Sequence, residues 1–155
     1  MTQTKHKQYL LVSALVVASF GPVFFLGSMP ETSGPASWTL DLLSFPLDGA
    51  QQFDAATTRF LSALTGGFLI GWGATLWALR RWVYDAAPEG VRKSMLTGVI
   101  CWFLVDSAGS IASGNPSNVF FNLLVLLLAV GPLWKKATAP SEGNRQENEG
   151  QRQVH

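Results

Sequence analysis

The chain has 155 residues, 48% of them apolar and 14% charged, with a formal net charge of +1. That length suits one small domain, and basic residues that come in ones and twos exclude a nucleic-acid footprint. A single cysteine, Cys101, excludes an internal disulfide and CxxC chemistry. The two histidines, His6 and His155, stand near the chain ends and exclude a haem held by two histidines within a bilayer.

The charges are segregated into short blocks between long apolar runs, whereas a soluble domain scatters them over its surface. This predicts an all-α, polytopic membrane protein, a bundle of four transmembrane helices. Residues 2–8 are polar and carry Lys5 and Lys7; residues 9–29 then run without a charge. About 20 apolar residues suffice to span a bilayer as a helix. A cleaved signal peptide also starts with a basic segment, but its apolar region is usually about 7–15 residues and ends at an A-x-A-like site. This run is longer and has no such site, so it reads as a retained helix, kinked at Gly21-Pro22.

Residues 30–56 read as a loop with Glu31, Asp41, Asp48 and Asp54 and no basic residue. Within it, Trp38, Leu40, Leu42, Leu43 and Phe45 cluster, either as an interfacial segment or as a loop packed over the bundle. The second span covers 57–82. Its small residues Ala63, Gly67, Gly71, Ala74 and Ala78 recur at helical spacing, and Gly67 with Gly71 forms a GxxxG pair that admits a close neighbouring backbone. Packing within the chain is expected there, with dimerisation the lesser reading. A polar loop leads to the third span, 94–113. Gly114-Asn115-Pro116 makes a tight turn: Gly114 suits a helix stop, Asn115 an N-cap and Pro116 a first helical position. The fourth span is 117–134, and the polar segment 137–155 reads as a disordered tail.

Lys5, Lys7, Arg80, Arg81, Arg92, Lys93, Lys135 and Lys136 fall at one set of span boundaries, and only Arg59 flanks a span on the other side. The positive-inside rule then places both termini in the cytoplasm and the acidic 30–56 loop outside, in a bacterial-type inner membrane. Trp38, Trp82, Tyr84 and Trp134 fall at the level of an aromatic belt.

The candidate site is Asp106, a carboxylate inside the third span. It costs roughly 2.5–3.5 kcal/mol at a bilayer centre on insertion scales, so something must offset it. Trp102, Asp106 and Ser110 share a helix face, as do Asn115, Asn118 and Asn122 on the fourth span. Asp106 and Asn122 stand at matched distances from the turn, roughly 10–12 Å down their helices. A polar cluster of Asp106, Ser110, Asn118 and Asn122 follows, joined from the second span by Thr65 and by Arg59 if it does not snorkel to the interface. It is either a ligand-binding pocket or a hydrogen-bonding hub that fastens two helices. Trp72, Trp77 and Trp102 read as packing residues. Nothing in the pattern calls for a cofactor or metal: there is no Ser/His/Asp set, no metal-spaced His/Cys cluster and no phosphate-binding glycine loop.

The segments Gly66-Gly67…Gly71-Trp72-Gly73…Trp77 and Asp106-Ser107…Gly109-Ser110…Asn118…Asn122 resemble those of small bacterial four-helix membrane proteins without an assigned function. The resemblance covers the second to fourth helices and supplies no activity. Small multidrug transporters are similar in size only, since they place a carboxylate in the first helix and this first helix has none. The expected role is non-enzymatic: an accessory subunit or a small-ligand-binding membrane protein, with a lipid bilayer and a membrane-protein or like partner around it. A small transporter or proton-coupled carrier using Asp106 is the runner-up, and a membrane enzyme comes third.

Overall fold

A computed structural model describes residues 2–136; the tail expected over 137–155 lies outside the described residues. Five α-helices make up the described chain: α1 (Gln3–Leu26), α2 (Gly34–Ser44), α3 (Ala56–Ala78), α4 (Pro88–Ala112) and α5 (Ser117–Val130). There are no strands among the described residues. Three segments are long and apolar enough to cross a membrane: Gln3–Leu26, Ala56–Val83 and Pro88–Ala112. The α5 helix is apolar but has 14 residues.

Several boundaries differ from the sequence expectation for local reasons. The polar segment before Tyr9 is helical, because Thr2 caps α1 by accepting from the Lys5 amide at 3.4 Å. The helix then runs as one element through Pro22. Likewise, α4 begins six residues early, with Pro88 in its first turn, where a missing N–H removes no bond. At the far end, Gly131-Pro132 stops α5, and a 3-10 turn, Gly131–Trp134, completes the segment. The loop over 30–56 contains α2. Turn Gly114 has φ of +82° and serves as the C-terminal stop of α4. The Asn115 amide bonds Ser110 O and the Gly114 amide bonds Ile111 O, the pair of bonds that defines a Schellman motif. The Asn115 side chain does not cap α5; it turns back to Ser113.

Helices α1 and α3 form one closely packed pair. The buried face of α3 is Ser62, Gly66, Gly73 and Leu76, set against Leu10, Ala14 and Gly21 of α1. A Cβ on Gly66 would stand 2.8 Å from Gly21 O and from Phe25 N; one on Gly73 would stand 2.7 Å from Ala14 O. This corrects the expected packing face. Gly67 and Gly71 are exposed, with open space where a side chain would go. Gly66 and Gly67 are adjacent and thus about 100° apart around the axis, so the same small residues present two faces and α1 takes the other. Near the acidic end, Ser62 Oγ donates to Phe24 O at 2.6 Å.

Helices α4 and α5 form the second pair. The two pairs join at the end that carries the basic residues. There Leu10, Leu76, Tyr84, Val91, Met95 and Leu133 form one buried cluster. A π-helical turn, Leu79–Val83, extends α3, and the Tyr84 amide bonds back to Leu79 O at 2.9 Å. That turn brings Tyr84 inward, so it is fully buried rather than part of an aromatic belt. Burial raises its phenol above the ordinary value, and Asp85 adds in the same direction. His6, at the chain end in sequence, is also buried, edge-on to Tyr84. Around this cluster Lys7 pairs with Asp85 at 2.8 Å, Arg80 Nε donates to Lys7 O at 2.8 Å and Arg92 Nη1 donates to Leu133 O at 2.9 Å. At the acidic end α2 ties the pairs together, since Ser117 Oγ donates to Leu43 O at 2.8 Å.

Two stability outcomes follow. Gly66→Leu or Gly73→Leu should lower thermal stability in mild detergent by about 1–3 kcal/mol, the usual cost of overpacking, whereas Gly67→Leu should leave it unchanged. Equal loss at Gly67 would mean that α1 packs on the other face. The Tyr84 hydroxyl is sealed and has no hydrogen-bond partner among the described residues. Removing an unsatisfied buried group recovers about 1–3 kcal/mol, so Tyr84→Phe should raise the melting temperature; a fall would reveal a partner for the hydroxyl.

Candidate functional site

The α4–α5 pair is fastened by polar side chains. The Gly114 turn sends α5 back along α4, which brings Asn118 and Asn122, one helical turn apart, opposite Asp106. Asn122 Nδ2 donates to Asp106 Oδ2 at 2.7 Å, and Asn118 Nδ2 donates to the same oxygen at 3.0 Å. Asn118 Nδ2 also reaches Ser110 Oγ at 2.8 Å, while Ser110 Oγ donates to the Asp106 carbonyl at 2.8 Å. The structure therefore gathers Asp106, Ser110, Asn118 and Asn122 at one point.

It does not bring Arg59 or Thr65 there. Arg59 sits in the first turn of α3, and its guanidinium donates to the carbonyls of Phe53 and Asp54. Thr65 is exposed and donates to Leu61 O at 2.9 Å, within its own helix. Helix α3 is packed on α1 through Gly66 and Gly73, and that pairing turns Thr65 away from the α4–α5 pair. Conversely, Ser107 was not among the expected residues, yet its Oγ accepts from Asn122 Nδ2 at 3.2 Å. Its signal was adjacency: the face that α4 turns to α5 is broad enough to hold both Asp106 and Ser107.

The carboxylate is held asymmetrically. Oδ2 accepts both amides. Oδ1 accepts no hydrogen bond among the described residues, and it is not among the sealed atoms. No basic side chain pairs with Asp106: the ion pairs among the described residues are Lys7–Asp85 and Arg92–Glu89, both at the basic end. Asp106 itself is half-buried, whereas Ser107, Ser110 and Asn122 are buried. One turn toward the basic end, half-buried Trp102 meets Trp72 of α3, with ring centroids 6.3 Å apart and planes tilted by 55°. This Trp pair is the point between the two ends where α3 and α4 touch through aromatic rings. The Ser110 hydroxyl is not set up as a nucleophile, because it donates to a backbone carbonyl rather than to a base.

Comparison with protein-family models, with curated proteins and with solved structures finds nothing that this chain matches.

Coupling across the pair is directly measurable. A double-mutant cycle of Asp106→Ala with Asn122→Ala should be non-additive by about 0.6–2 kcal/mol, the range for interhelical bonds in bilayers. The same cycle between Asp106→Ala and Thr65→Ala should be additive to within about 0.3–0.5 kcal/mol. Additivity in the first cycle would mean that α4 and α5 are not joined at this point.

Proposed function

We propose that this is a four-span integral membrane protein of an inner membrane, with both termini cytoplasmic, that works by binding rather than by catalysis, and that Asp106 receives the ligand. The distribution of polarity supports the membrane reading. Leu15, Phe68, Val105 and Leu128, one each from α1, α3, α4 and α5, are 62%, 77%, 74% and 73% exposed, while Ser62, Ser107, Ser110 and Asn122 are buried. A soluble fold buries the first set and exposes the second; a bilayer makes the inverse favourable.

The fourth span is supported by length. Fourteen α-helical residues at about 1.5 Å each and four 3-10 residues at about 2 Å each reach about 29 Å, close to a hydrocarbon core of about 30 Å. Orientation is supported by charge, since eight basic residues gather at the end where α1 begins and α5 finishes, and Arg59 alone stands at the other.

One observation carries the binding role: among the described residues Asp106 Oδ1 has no hydrogen-bond partner and the carboxyl has no basic partner, while Oδ2 beside it takes both asparagine amides. Ionisable groups at such depth are by default functional. A fastening role alone requires only an acceptor for the two asparagine amides. The serines support binding over group transfer, as neither is paired with a base.

Native mass spectrometry of the full chain, extracted gently from its own membrane, tests this. The wild-type protein should carry bound mass that Asp106→Asn lacks, although that variant keeps the acceptor for Asn118 and Asn122 and should melt normally. Identical spectra for the two would defeat the binding role. Reporter fusions after residues 82 and 134 should read cytoplasmic and one within 30–56 external; a periplasmic reading after 134 overturns four spans.

A further inference from the structure

Resting on that reading, the geometry points to the chemical class of the ligand: we infer that the Asp106–Trp102–Trp72 arrangement is a site for a hydrophobic organic cation of the ammonium type. Three observations converge. The first is Oδ1 of Asp106, which has no hydrogen-bond partner among the described residues, while Oδ2 beside it accepts two amides and so holds the group in place. An oxygen so placed accepts from a donor or faces a positive charge; it offers nothing to an anion. The second is the missing counter-charge. Arg59, the basic residue at that end, is spent on the carbonyls of Phe53 and Asp54. Within a bilayer an uncompensated carboxylate is costly, so a bound cation gains the most at this point.

The third observation is aromatic. Trp102 precedes Asp106 by four residues, on the same face of α4 and about 6 Å along the axis. Trp72 of α3 packs against it at 6.3 Å with its plane tilted by 55°. Both rings are half-buried, so each keeps surface for a further group. Indole faces attract cations to within about 6 Å of the ring centroid, and most strongly when water is excluded. A carboxylate oxygen with two indoles one turn below thus matches an ammonium head joined to an apolar body. Compact alkali ions fit less well, because rings that are only half a site offer them no oxygen ligands.

The test uses the full chain in mild detergent and the probe tetraphenylphosphonium, measured by equilibrium dialysis. Saturable binding is expected. Asp106→Asn should weaken it roughly tenfold or more, the scale of one lost charged interaction. Trp102→Leu should weaken it about threefold, and Trp102→Phe should recover part of that loss. Tetraphenylborate has the same shape and the opposite charge; dialysed by itself, because the two ions pair with each other in water, it should show no saturable binding. Each variant's melting curve shows that it is folded. Unchanged phosphonium binding by folded Asp106→Asn, or equally tight saturable binding of tetraphenylborate dialysed by itself, overturns the cation site. The bound mass lost in Asp106→Asn would survive that outcome if only the ligand class were wrong. The ammonium can be free or borne by a lipid. In nanodiscs of equal phosphatidylglycerol content, so that surface charge is matched, weaker phosphonium binding when the remaining lipid is phosphatidylethanolamine than when it is an uncharged glycolipid identifies the lipid headgroup, and equal saturable binding identifies a free cation.

Discussion

An apolar surround leaves the polar atoms of a chain with only one another for company, and the Asp106 carboxylate is where that constraint presses hardest here. Its Oδ2 gathers Asn118 and Asn122 from α5. Those bonds fix the rotation of α5 about its axis, which leaves Leu123, Leu124, Leu127 and Leu128 exposed. They also fix the depth of α5 relative to α4, and with it the position of the 3-10 turn whose Leu133 completes the cluster at the basic end. The remaining polar side chains obey the same rule in smaller ways: Ser62, Ser110 and Ser117 each give their hydroxyl hydrogen to a backbone carbonyl.

The two helix pairs answer the constraint differently. Where lipid tails are as apolar as leucine, helices gain little from burying leucine against each other. The α1–α3 pair gains instead from close backbone approach, which Gly21, Gly66 and Gly73 permit. The α4–α5 pair has no such glycines in contact and relies on hydrogen bonds. Between the pairs, the ties are concentrated at the ends, in the Tyr84 cluster and in the Ser117–Leu43 bond, with Trp72 on Trp102 along the way. A structure tied at its ends leaves its middle the least committed, and the open oxygen of Asp106 lies on that stretch.

Much of this was legible in the sequence where one periodicity acts alone. The matched distances of Asp106 and Asn122 from Gly114 depend only on helical rise and a short turn, and the two side chains are bonded at 2.7 Å. Helix α3 was harder to read, because Gly66, Gly67, Gly71 and Gly73 define more than one smooth face and nothing in one helix says which face its neighbour takes. Thr65 and Arg59 were placed by their height at the outer end of α3, and height does not say which way a side chain points: Thr65 is exposed and Arg59 bonds the carbonyls of Phe53 and Asp54. Tyr84 failed for the same reason. Its level at the end of a span does not say which way the ring points, and the π-helical turn over Leu79–Val83 turns it inward. His6 and Tyr84 together close the basic end, which no pattern of charged and apolar runs reveals.

The energetics separate what fastening requires from what the chain contains. Two interhelical bonds at about 0.6–2 kcal/mol each are comparable with the roughly 2.5–3.5 kcal/mol that a carboxylate costs at mid-bilayer. The α4–α5 joint therefore gains little by using an acid. An asparagine at position 106 offers one acceptor oxygen to Asn118 and Asn122 at a smaller desolvation cost, since replacing a buried charge by a neutral group is often stabilising. Fastening thus explains Oδ2 and leaves unexplained why an acid stands at this position and why its Oδ1 has no partner among the described residues. Those two features are what a cationic group needs, and they stand one helical turn from the indole faces that would accompany it. The expensive part of Asp106 is the part that the fold does not use, which is why the binding reading rests on this residue and on no other.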